Sequence, residues 1–154
     1  MRLTRHSDLA FRTLLYLAVA GPRGASIHAI ATSYGVSEHH LRKVVMDLSR
    51  LGVVTATRGP GGGLQLARPA GEISIGALMR QIEPDFAMVE CLGVEPERCV
   101  VQQCCGLKGV FRQALAAWFA VLDRYTLADA AGNPERLATA LGIERPEDAG
   151  PPPP

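Results

Sequence analysis

Four cysteines lie close together in the second half of the chain, at Cys91, Cys99, Cys104 and Cys105. Clustered thiols in a chain expected to be cytoplasmic favour metal or redox chemistry, because structural disulfides seldom persist in that compartment. Their intervals lack the paired Cys-x-x-Cys units that are typical of structural zinc sites. Wide spacing instead suits thiolates that surround an inorganic iron-sulfur cluster. Spacing alone leaves three chemistries open: an iron-sulfur site, a zinc site and a thiol switch.

The segment before the cysteines predicts a helix-turn-helix. Apolar residues with a helical period predict a first helix, which Thr4 or Ser7 would cap. Ser26 can cap a short second helix, Gly35 can provide the left-handed conformation of a tight break, and Ser37 can cap a third helix. The third helix would bury Leu41, Val44, Val45 and Leu48. An ordinary helical hairpin is the alternative for these residues taken alone.

A glycine-rich turn follows the third helix and predicts a wing. Two predicted strands, 53–57 and 64–67, flank the turn that starts at Arg58 and Gly59. An arginine at a glycine-rich tip suits a narrow minor groove, where the small backbone lets the guanidinium enter. No Gly-Lys-Ser/Thr follows the glycines, which argues against a phosphate-binding loop. We therefore expect a winged helix-turn-helix domain.

The charge of the chain is uneven, although the total is only +1. Residues 1–68 contain nine Lys and Arg against three Asp and Glu, a balance of +6, whereas residues 69–154 balance to −5. A basic first part is typical of a protein that binds double-stranded DNA, with solvated surface charge as the alternative. The expected DNA contacts are Ser37, His39, His40, Arg42, Lys43, Arg58 and Gly59. Arg42 and Lys43 could each contact guanine edges or phosphates.

The second half of the chain predicts further helices around the cysteines. Ser74 can cap a short helix that Pro84 ends, and a loop then extends to about Cys105. Apolar residues over 107–122 repeat as on a long amphipathic helix, whose large face would be either core or the seam of a dimer. Thr126 can cap a further short helix.

These elements indicate a mainly α fold, in which the winged helix-turn-helix domain is followed by the cysteine loop and a long dimerisation helix. The expected divisions are the DNA-binding region, the short helix with the cysteine loop, the dimerisation helix with a short following helix, and an acidic, Pro-rich, partly disordered tail. They span residues 1–68, 69–105, 106–131 and 132–154 respectively.

The sequence argues against a membrane-spanning protein and against an enzyme. The longest uninterrupted apolar run, Ala114–Leu122, has nine residues, far fewer than the roughly 20 that a membrane span requires. No nucleophile-base pair, paired carboxylates or His-Glu-x-x-His motif indicates an enzyme. The first residues loosely resemble a secretory leader, but Asp8 and Arg12 precede the apolar stretch and the segment fits a folded helix better. We therefore expect a cytoplasmic protein with no membrane partner.

Several segments over about 1–131 are typical of one group of regulators. They are Met1–Thr4, Ser7–Ala10 and Arg12, the wing from Arg58 to Leu64, Ile75–Gly76, Glu83–Pro84, the cysteine loop and Leu122–Asp129. Together they resemble the NsrR family, the nitric-oxide-sensing branch of the winged-helix iron-sulfur repressors.

The resemblance implies a homodimer with one iron-sulfur cluster, of the 2Fe-2S or 4Fe-4S type, in each subunit. By position, Cys91, Cys99 and Cys105 would ligate the cluster together with Asp8 of the partner subunit, and Cys104 could replace Cys105. Soft thiolates hold iron firmly, whereas a carboxylate is a weaker ligand that leaves one iron open to attack. Arg12, four residues after Asp8, would orient that carboxylate, and Asp8 with Arg12 would couple the cluster to the DNA-binding region; the alternative is that the two form only a surface pair.

We therefore expect a repressor that binds a palindromic operator while its cluster is intact and releases the DNA when nitric oxide nitrosylates the cluster. One alternative is a regulator of the same fold that controls cluster assembly or responds to redox state. The cluster-assembly branch typically has a histidine three residues after the last cysteine, where this chain has Lys108. The other alternative, of a different class, is a zinc-stabilised interaction module.

Overall fold

The structure is a computed structural model that describes residues 3–57, 63–93 and 99–143. Within those ranges it contains seven α-helices and one two-stranded sheet. In chain order these are α1 (Arg5–Ala20), α2 (Ile27–Tyr34), α3 (Glu38–Arg50), β1 (Val54–Ala56), β2 (Leu64–Leu66), α4 (Ile75–Ile82), α5 (Leu107–Leu122), α6 (Leu127–Ala131) and α7 (Pro134–Leu141). This mainly helical architecture confirms the fold class predicted from the sequence.

Helix α1 lies at the centre of the core because its apolar residues recur at helical spacing along its whole length. Of the two predicted caps, Thr4 begins the helix, and its hydroxyl accepts a hydrogen bond from the Ser7 N–H at 3.2 Å. The helix packs against α3, α4, α6 and α7. Its fully buried side chains include Leu14 and Leu17, each of which contributes about 1.5–3 kcal/mol by burial.

Helices α2 and α3 form the helix-turn-helix. Ser26 caps α2 by accepting a hydrogen bond from the Ala29 N–H at 3.0 Å. Gly35 ends α2 with φ 60° and ψ 39°, the left-handed conformation that favours glycine. Ser37 occupies the N-cap position of α3, although its hydroxyl makes no capping hydrogen bond there. The predicted stripe of α3 is buried, at Leu41, Val44, Val45 and Leu48.

The antiparallel strands β1 and β2 form the base of the wing, and this base is joined to the connector between α1 and α2. Ala25 of the connector and Leu64 of β2 exchange two backbone hydrogen bonds, at 2.9 and 2.7 Å. The neighbouring Gly24 has φ 62°, and a Cβ there would overlap the Leu64 carbonyl, so this close approach requires glycine. The base of the wing is therefore joined to the segment that leads into α2.

Helices α4 and α5 are held together where α5 ends. A Cβ on Gly76 of α4 would overlap the Asp123 carboxylate and lie 2.9 Å from the Asp123 backbone nitrogen. Arg80, one turn further along α4, donates two hydrogen bonds to the same carboxylate, at 2.6 and 2.8 Å. Its guanidinium also lies 4.0 Å from the centre of the Phe119 ring. These contacts fix the C-terminal part of α5 against α4.

The last two helices return the chain to α1 and α2. Helix α6 begins with a capping box at Thr126, which confirms the predicted cap. Helix α7 buries Leu141, whose carbonyl accepts a hydrogen bond from the Ser33 hydroxyl of α2 at 2.8 Å. This helix lies within the range 132–154, where the sequence predicts an acidic tail. That expectation omits α7, although local signals indicate it: Asn133 caps the helix, Pro134 is its first residue and Gly142 ends it in the left-handed conformation.

Candidate functional site

The exposed side of α3 and the residue before it carry five of the predicted DNA contacts. Ser37 precedes the helix, and the side chains of His39, His40, Arg42 and Lys43 are all exposed on it. The two histidine rings are neighbours, with centroids 6.0 Å apart. The two remaining predicted contacts, Arg58 and Gly59, lie outside the described residues, in the segment between β1 and β2. The structure thus presents the α3 residues together on a surface that DNA can reach.

The carboxylate of Glu38 joins α2 and α3 at one end of this surface. Its Oε1 lies 2.8 Å from Nδ1 of His28, and its Oε2 accepts a hydrogen bond from Nη2 of Arg42 at 2.8 Å. The hydrogen bond with His28, and then the positive charge of Arg42, lower the pKa of Glu38. We did not predict a role for Glu38 from the sequence. Its spacing of four residues from Arg42 is the signal that indicates this pair.

A concave surface lies between α1 and α3, beside the exposed histidines. It is lined by Arg5, His6, Leu9, His40, Lys43 and Val44. His6 also contacts α3, because its Nε2 lies 3.3 Å from Oδ2 of Asp47. The start of α1 therefore adds Arg5 to the basic residues of α3 on one side of the molecule, which the linear spacing of the sequence does not indicate.

The four cysteines lie on the loop that joins α4 to α5. Cys91 is part of a short 3₁₀ turn, whereas Cys99 begins a run of hydrogen-bonded turns that leads directly into α5. Cys91 and Cys105 are half-buried, Cys99 and Cys104 are exposed, and all four thiols are free. The Cys104 thiol donates a hydrogen bond to the Val101 carbonyl at 3.5 Å, within its own turn.

The donor set of this loop fits a thiolate-bound metal centre in its chemistry. Several cysteines on one loop provide the soft ligands that iron-sulfur clusters and zinc prefer. Within residues 3–57, 63–93 and 99–143 of one chain, no group of three His, Cys, Asp or Glu side chains lies close enough together to hold a metal ion. The structure therefore provides the thiols on one loop without gathering them into a finished site.

Asp8, the predicted fourth ligand, forms an ion pair on α1. Its Oδ2 lies 2.9 Å from Nε of Arg12, and both side chains are about half exposed. The Arg12 guanidinium also lies 5.8 Å from the centre of the Tyr34 ring on α2. Burial raises the pKa of Tyr34. The pair expected from the spacing of Asp8 and Arg12 is thus present, and it contacts the helix-turn-helix through Tyr34.

The first residue of the cysteine loop, Glu83, is buried against the start of α1. Its Oε2 accepts hydrogen bonds from the backbone N–H and the hydroxyl of Thr4, at 3.0 and 3.1 Å. The Ser7 hydroxyl donates a further hydrogen bond to the carbonyl of Ile82 at 3.3 Å. Because Asp8 follows Ser7, the same contacts position both the start of the loop and the Asp8 carboxylate.

Helix α5 buries none of its side chains within the chain, despite its apolar composition. Leu107 and Val110, in its first turns, are 61% and 58% exposed. An apolar groove nearby is formed by α1, α4 and the segment that follows α5. Its lining includes Phe11, Leu15, Ile75, Met79, Leu122 and Tyr125. Exposed apolar surfaces of this kind, at the start of α5 and in the groove at its end, are typical of faces that another protein covers.

A helix-turn-helix with a basic exposed helix and an adjoining two-stranded wing defines a winged-helix DNA-binding protein. Residues 3–133 match the Rrf2 family, described as "Iron-dependent Transcriptional regulator". The HTH-type transcriptional regulators NsrR of Oceanobacillus iheyensis and Bacillus subtilis are each 42% identical to the chain, and the matches cover 94% of it and 99% of each relative. Oxidized CymR of Staphylococcus aureus is 27% identical with a TM-score of 0.67, covering 86% of this chain and 98% of that one. The chain belongs to the Rrf2 family of DNA-binding transcriptional regulators.

These similarities confirm the resemblance to NsrR that the sequence motifs predicted. The relatives are named as transcriptional regulators, which agrees with the non-enzymatic function expected from the sequence. Within the described ranges, no helix combines the length and the apolar character that a bilayer crossing demands.

Proposed function

We propose that the chain is a nitric-oxide-sensing repressor, a homodimer that binds a palindromic operator while its iron-sulfur cluster is intact and releases it on nitrosylation. The observation that carries the proposal is the loop of four free thiols between α4 and the exposed helix α5, in a chain 42% identical to NsrR regulators. A loop in this place adjoins both the winged-helix region and the candidate dimer helix. A chemical change on it can therefore affect both.

Three thiolates, from Cys91, Cys99 and Cys105, would hold the cluster together with Asp8 of the partner subunit. The half-buried position of Cys105 favours it over Cys104, whose exposed thiol is hydrogen-bonded within its own turn. When bound, an iron-sulfur cluster of either the 2Fe-2S or the 4Fe-4S type provides iron that nitric oxide can attack, most readily where a carboxylate is the ligand.

The exposed apolar face of α5 supports a homodimer in which this helix packs against a second copy of the chain. The groove at the end of α5 supports the same arrangement, because Phe11 and Leu15 lie on the same face of α1 as Asp8, three and seven residues after it. A second copy that covers these two apolar side chains therefore also lies next to Asp8. The proposed ligand from the partner subunit and the proposed dimer interface thus depend on the same face of α1.

Two sets of contacts can transmit a change at the cysteine loop to the DNA-binding region. Asp8 holds Arg12, which lies over Tyr34 of the helix-turn-helix, and Glu83 holds Thr4 at the start of α1. Loss of these constraints would let the two recognition helices of a dimer leave the one-turn spacing of a palindrome. A switch from about 99% to about 1% occupancy requires about 5.5 kcal/mol of differential stabilisation.

Helix α3 would enter the major groove of each half-site and the wing would enter the minor groove. The major-groove contacts would come from Ser37, His39, His40, Arg42 and Lys43, and those of the wing from Arg58 and Gly59. The exposed side chains of α3 and the basic surface shared with α1 support this orientation.

The test is anaerobic purification, followed by assays of iron, sulfide and zinc and by titration with a nitric oxide donor. DNA binding is measured on a duplex that the protein itself selects from a random library. We expect protein that contains iron and sulfide and loses the duplex as nitric oxide is added. Colourless protein loaded with zinc would contradict the proposal and support a zinc-stabilised interaction module.

Single variants separate the proposed ligands from the neighbouring thiol. We expect Cys91→Ser, Cys99→Ser and Cys105→Ser each to lose iron and the nitric oxide response. Cys104→Ser is the matched control and keeps both. A response to oxidants but not to nitric oxide would instead favour the redox-responsive regulator of the same fold.

A further inference from the structure

Glu38 is the only acidic residue within residues 37–43, the segment proposed to enter the major groove. A carboxylate on this surface repels the DNA phosphates and therefore lowers the affinity of the protein for DNA of any sequence. Because Glu38 weakens binding to DNA of any sequence, the role of this carboxylate on α3 must lie in its contacts.

Both oxygens of the Glu38 carboxylate are engaged, each by a different helix. His28 of α2 holds Oε1, and Arg42, one turn along α3, donates to Oε2, both at 2.8 Å. Held from two sides, the carboxylate has little rotational freedom, and it anchors one end of the Arg42 guanidinium. The Arg42 side chain is still 60% exposed, which leaves its other N–H groups accessible to a ligand.

Lys43, the next residue, differs from Arg42 in this respect. In the part of the chain that the structure describes, no acidic side chain lies within ion-pair distance of Lys43. A mobile ammonium suits a phosphate, which it binds as a point charge. An arginine fixed in orientation suits a guanine, whose O6 and N7 accept two parallel hydrogen bonds from a guanidinium.

We propose that Glu38 is a specificity-determining positioning residue, which holds Arg42 in orientation for a guanine while Lys43 contacts the DNA backbone. This inference rests on the proposed function in that α3 must enter the major groove. Because Arg42 is already ordered, less conformational freedom is lost when it contacts the base. The repulsion of phosphates by the carboxylate then serves discrimination, since it weakens binding to sequences that offer Arg42 no guanine.

The test is selection of duplexes from a random library by the wild-type protein and by Glu38→Ala, Glu38→Gln and Arg42→Ala. Affinities are then measured for the wild-type-selected duplex and for a scrambled duplex of the same composition. We expect a guanine at one symmetric position of each half-site with wild type and a degenerate position with Glu38→Ala and Arg42→Ala. The ratio of the two affinities should fall about tenfold in Glu38→Ala, within the range of one bidentate base contact. The affinity ratio of Glu38→Gln, which keeps the shape of the side chain and one acceptor oxygen, should lie between those of wild type and Glu38→Ala.

Two controls on the same helix separate orientation from charge. Asp47→Asn removes an equal negative charge from α3 and should keep the guanine preference. Lys43→Ala should weaken both duplexes equally and also keep the preference. Thermal unfolding of each variant shows whether a merely structural role of Glu38 at the start of α3 explains the result, because that role would lower stability and leave base preference unchanged.

An unchanged guanine preference in folded Glu38→Ala or Glu38→Gln would overturn the inference, as would an Arg42→Ala variant that loses the selected and scrambled duplexes equally. In both cases the proposed regulator would stand. A wild-type protein that selects no sequence at all would instead overturn the proposed function and this inference with it.

Discussion

Thr4 and Glu83 lie 79 positions apart in the chain, yet the backbone N–H and the hydroxyl of Thr4 both donate hydrogen bonds to Oε2 of Glu83. The contact joins the residue that caps α1 to the residue that begins the cysteine loop. Glu83 is only 7% exposed, so its bonds are poorly replaced by water. This pair is therefore important both for the stability of α1 and for the position of the loop.

We expect Glu83→Ala to lower the free energy of unfolding by about 1.5–3 kcal/mol, the range for hydrogen bonds to charged groups. The variant also leaves the Thr4 N–H without its partner. Denaturant unfolding measures the loss, with the exposed Glu90→Ala on the same loop as the control, expected within about 0.5 kcal/mol of wild type. Equal stability of the two variants would show that the Thr4 contact contributes nothing.

For Lys43→Ala we expect weaker binding to every DNA sequence and a salt dependence whose slope is reduced by about one. The reason is that binding with one phosphate contact fewer also releases about one counterion fewer. Arg58→Ala should weaken operator binding through the wing. Fluorescence anisotropy over a series of salt concentrations measures both effects. Unchanged operator affinity in the two variants would mean that DNA does not bind on this face.

The exposed start of α5 leads us to expect that Val110→Asp prevents dimer formation. A carboxylate in an apolar interface is poorly solvated and has no partner to compensate for its charge. Sedimentation equilibrium measures the association state. Arg112→Asp is the control that should stay dimeric, because Arg112 is exposed and lies two residues from Val110, on the other side of α5. A dimeric Val110→Asp variant would place the interface elsewhere.

The ion pair of Arg80 and Asp123 predicts a pH dependence of stability. The hydrogen bonds from Arg80 lower the pKa of Asp123 below its ordinary value of 3.8. A lowered folded-state pKa means that the pair's contribution is fully present well above 3.8 and is lost as the pH falls through the folded-state value. The difference in Tm between wild type and Asp123→Asn should therefore persist at neutral pH and vanish in acid. A constant difference at all pH values would exclude this origin.

At Gly76, we expect Gly76→Ala to cost about 1–3 kcal/mol, because the added methyl group overlaps Asp123 and must displace it or separate α4 from α5. Gly71→Ala is the matched control, since a Cβ there meets nothing within 4 Å. Denaturant midpoints compare the two variants. Similar midpoints would show that the crossing of α4 and α5 adjusts freely.

Local signals were sufficient to predict much of the fold. Ser26, Gly35, Ser74 and Thr126 each act within one turn of a helix end, where capping depends on neighbouring residues alone. Helix α7 carries the same kind of signal, in the Asn133 cap, Pro134 and the left-handed Gly142, but the sequence prediction joined it to the Pro-rich tail that follows. Only the hydrogen bond from Ser33 to the Leu141 carbonyl, 108 positions apart, lies beyond what local signals can indicate.

The contacts of the candidate site were also predictable only where they are local in the sequence. The pairs Asp8 with Arg12 and Glu38 with Arg42 are separated by four residues on one helix and can be recognised from spacing. The contact of His28 with Glu38 crosses between helices, so spacing does not indicate it. A site shared between two subunits depends on their docking, which the order of residues in one chain does not specify.

The paired hydrogen bonds of Ala25 and Leu64 join the base of the wing to the segment that leads into the helix-turn-helix. In the proposed complex, the base of the wing and the recognition helix would thus approach the DNA as one unit. Specificity for another promoter could then be obtained by exchanging side chains while this backbone contact is kept. A wing transferred from another protein would fit only if Gly24 were retained, because a Cβ there overlaps the Leu64 carbonyl.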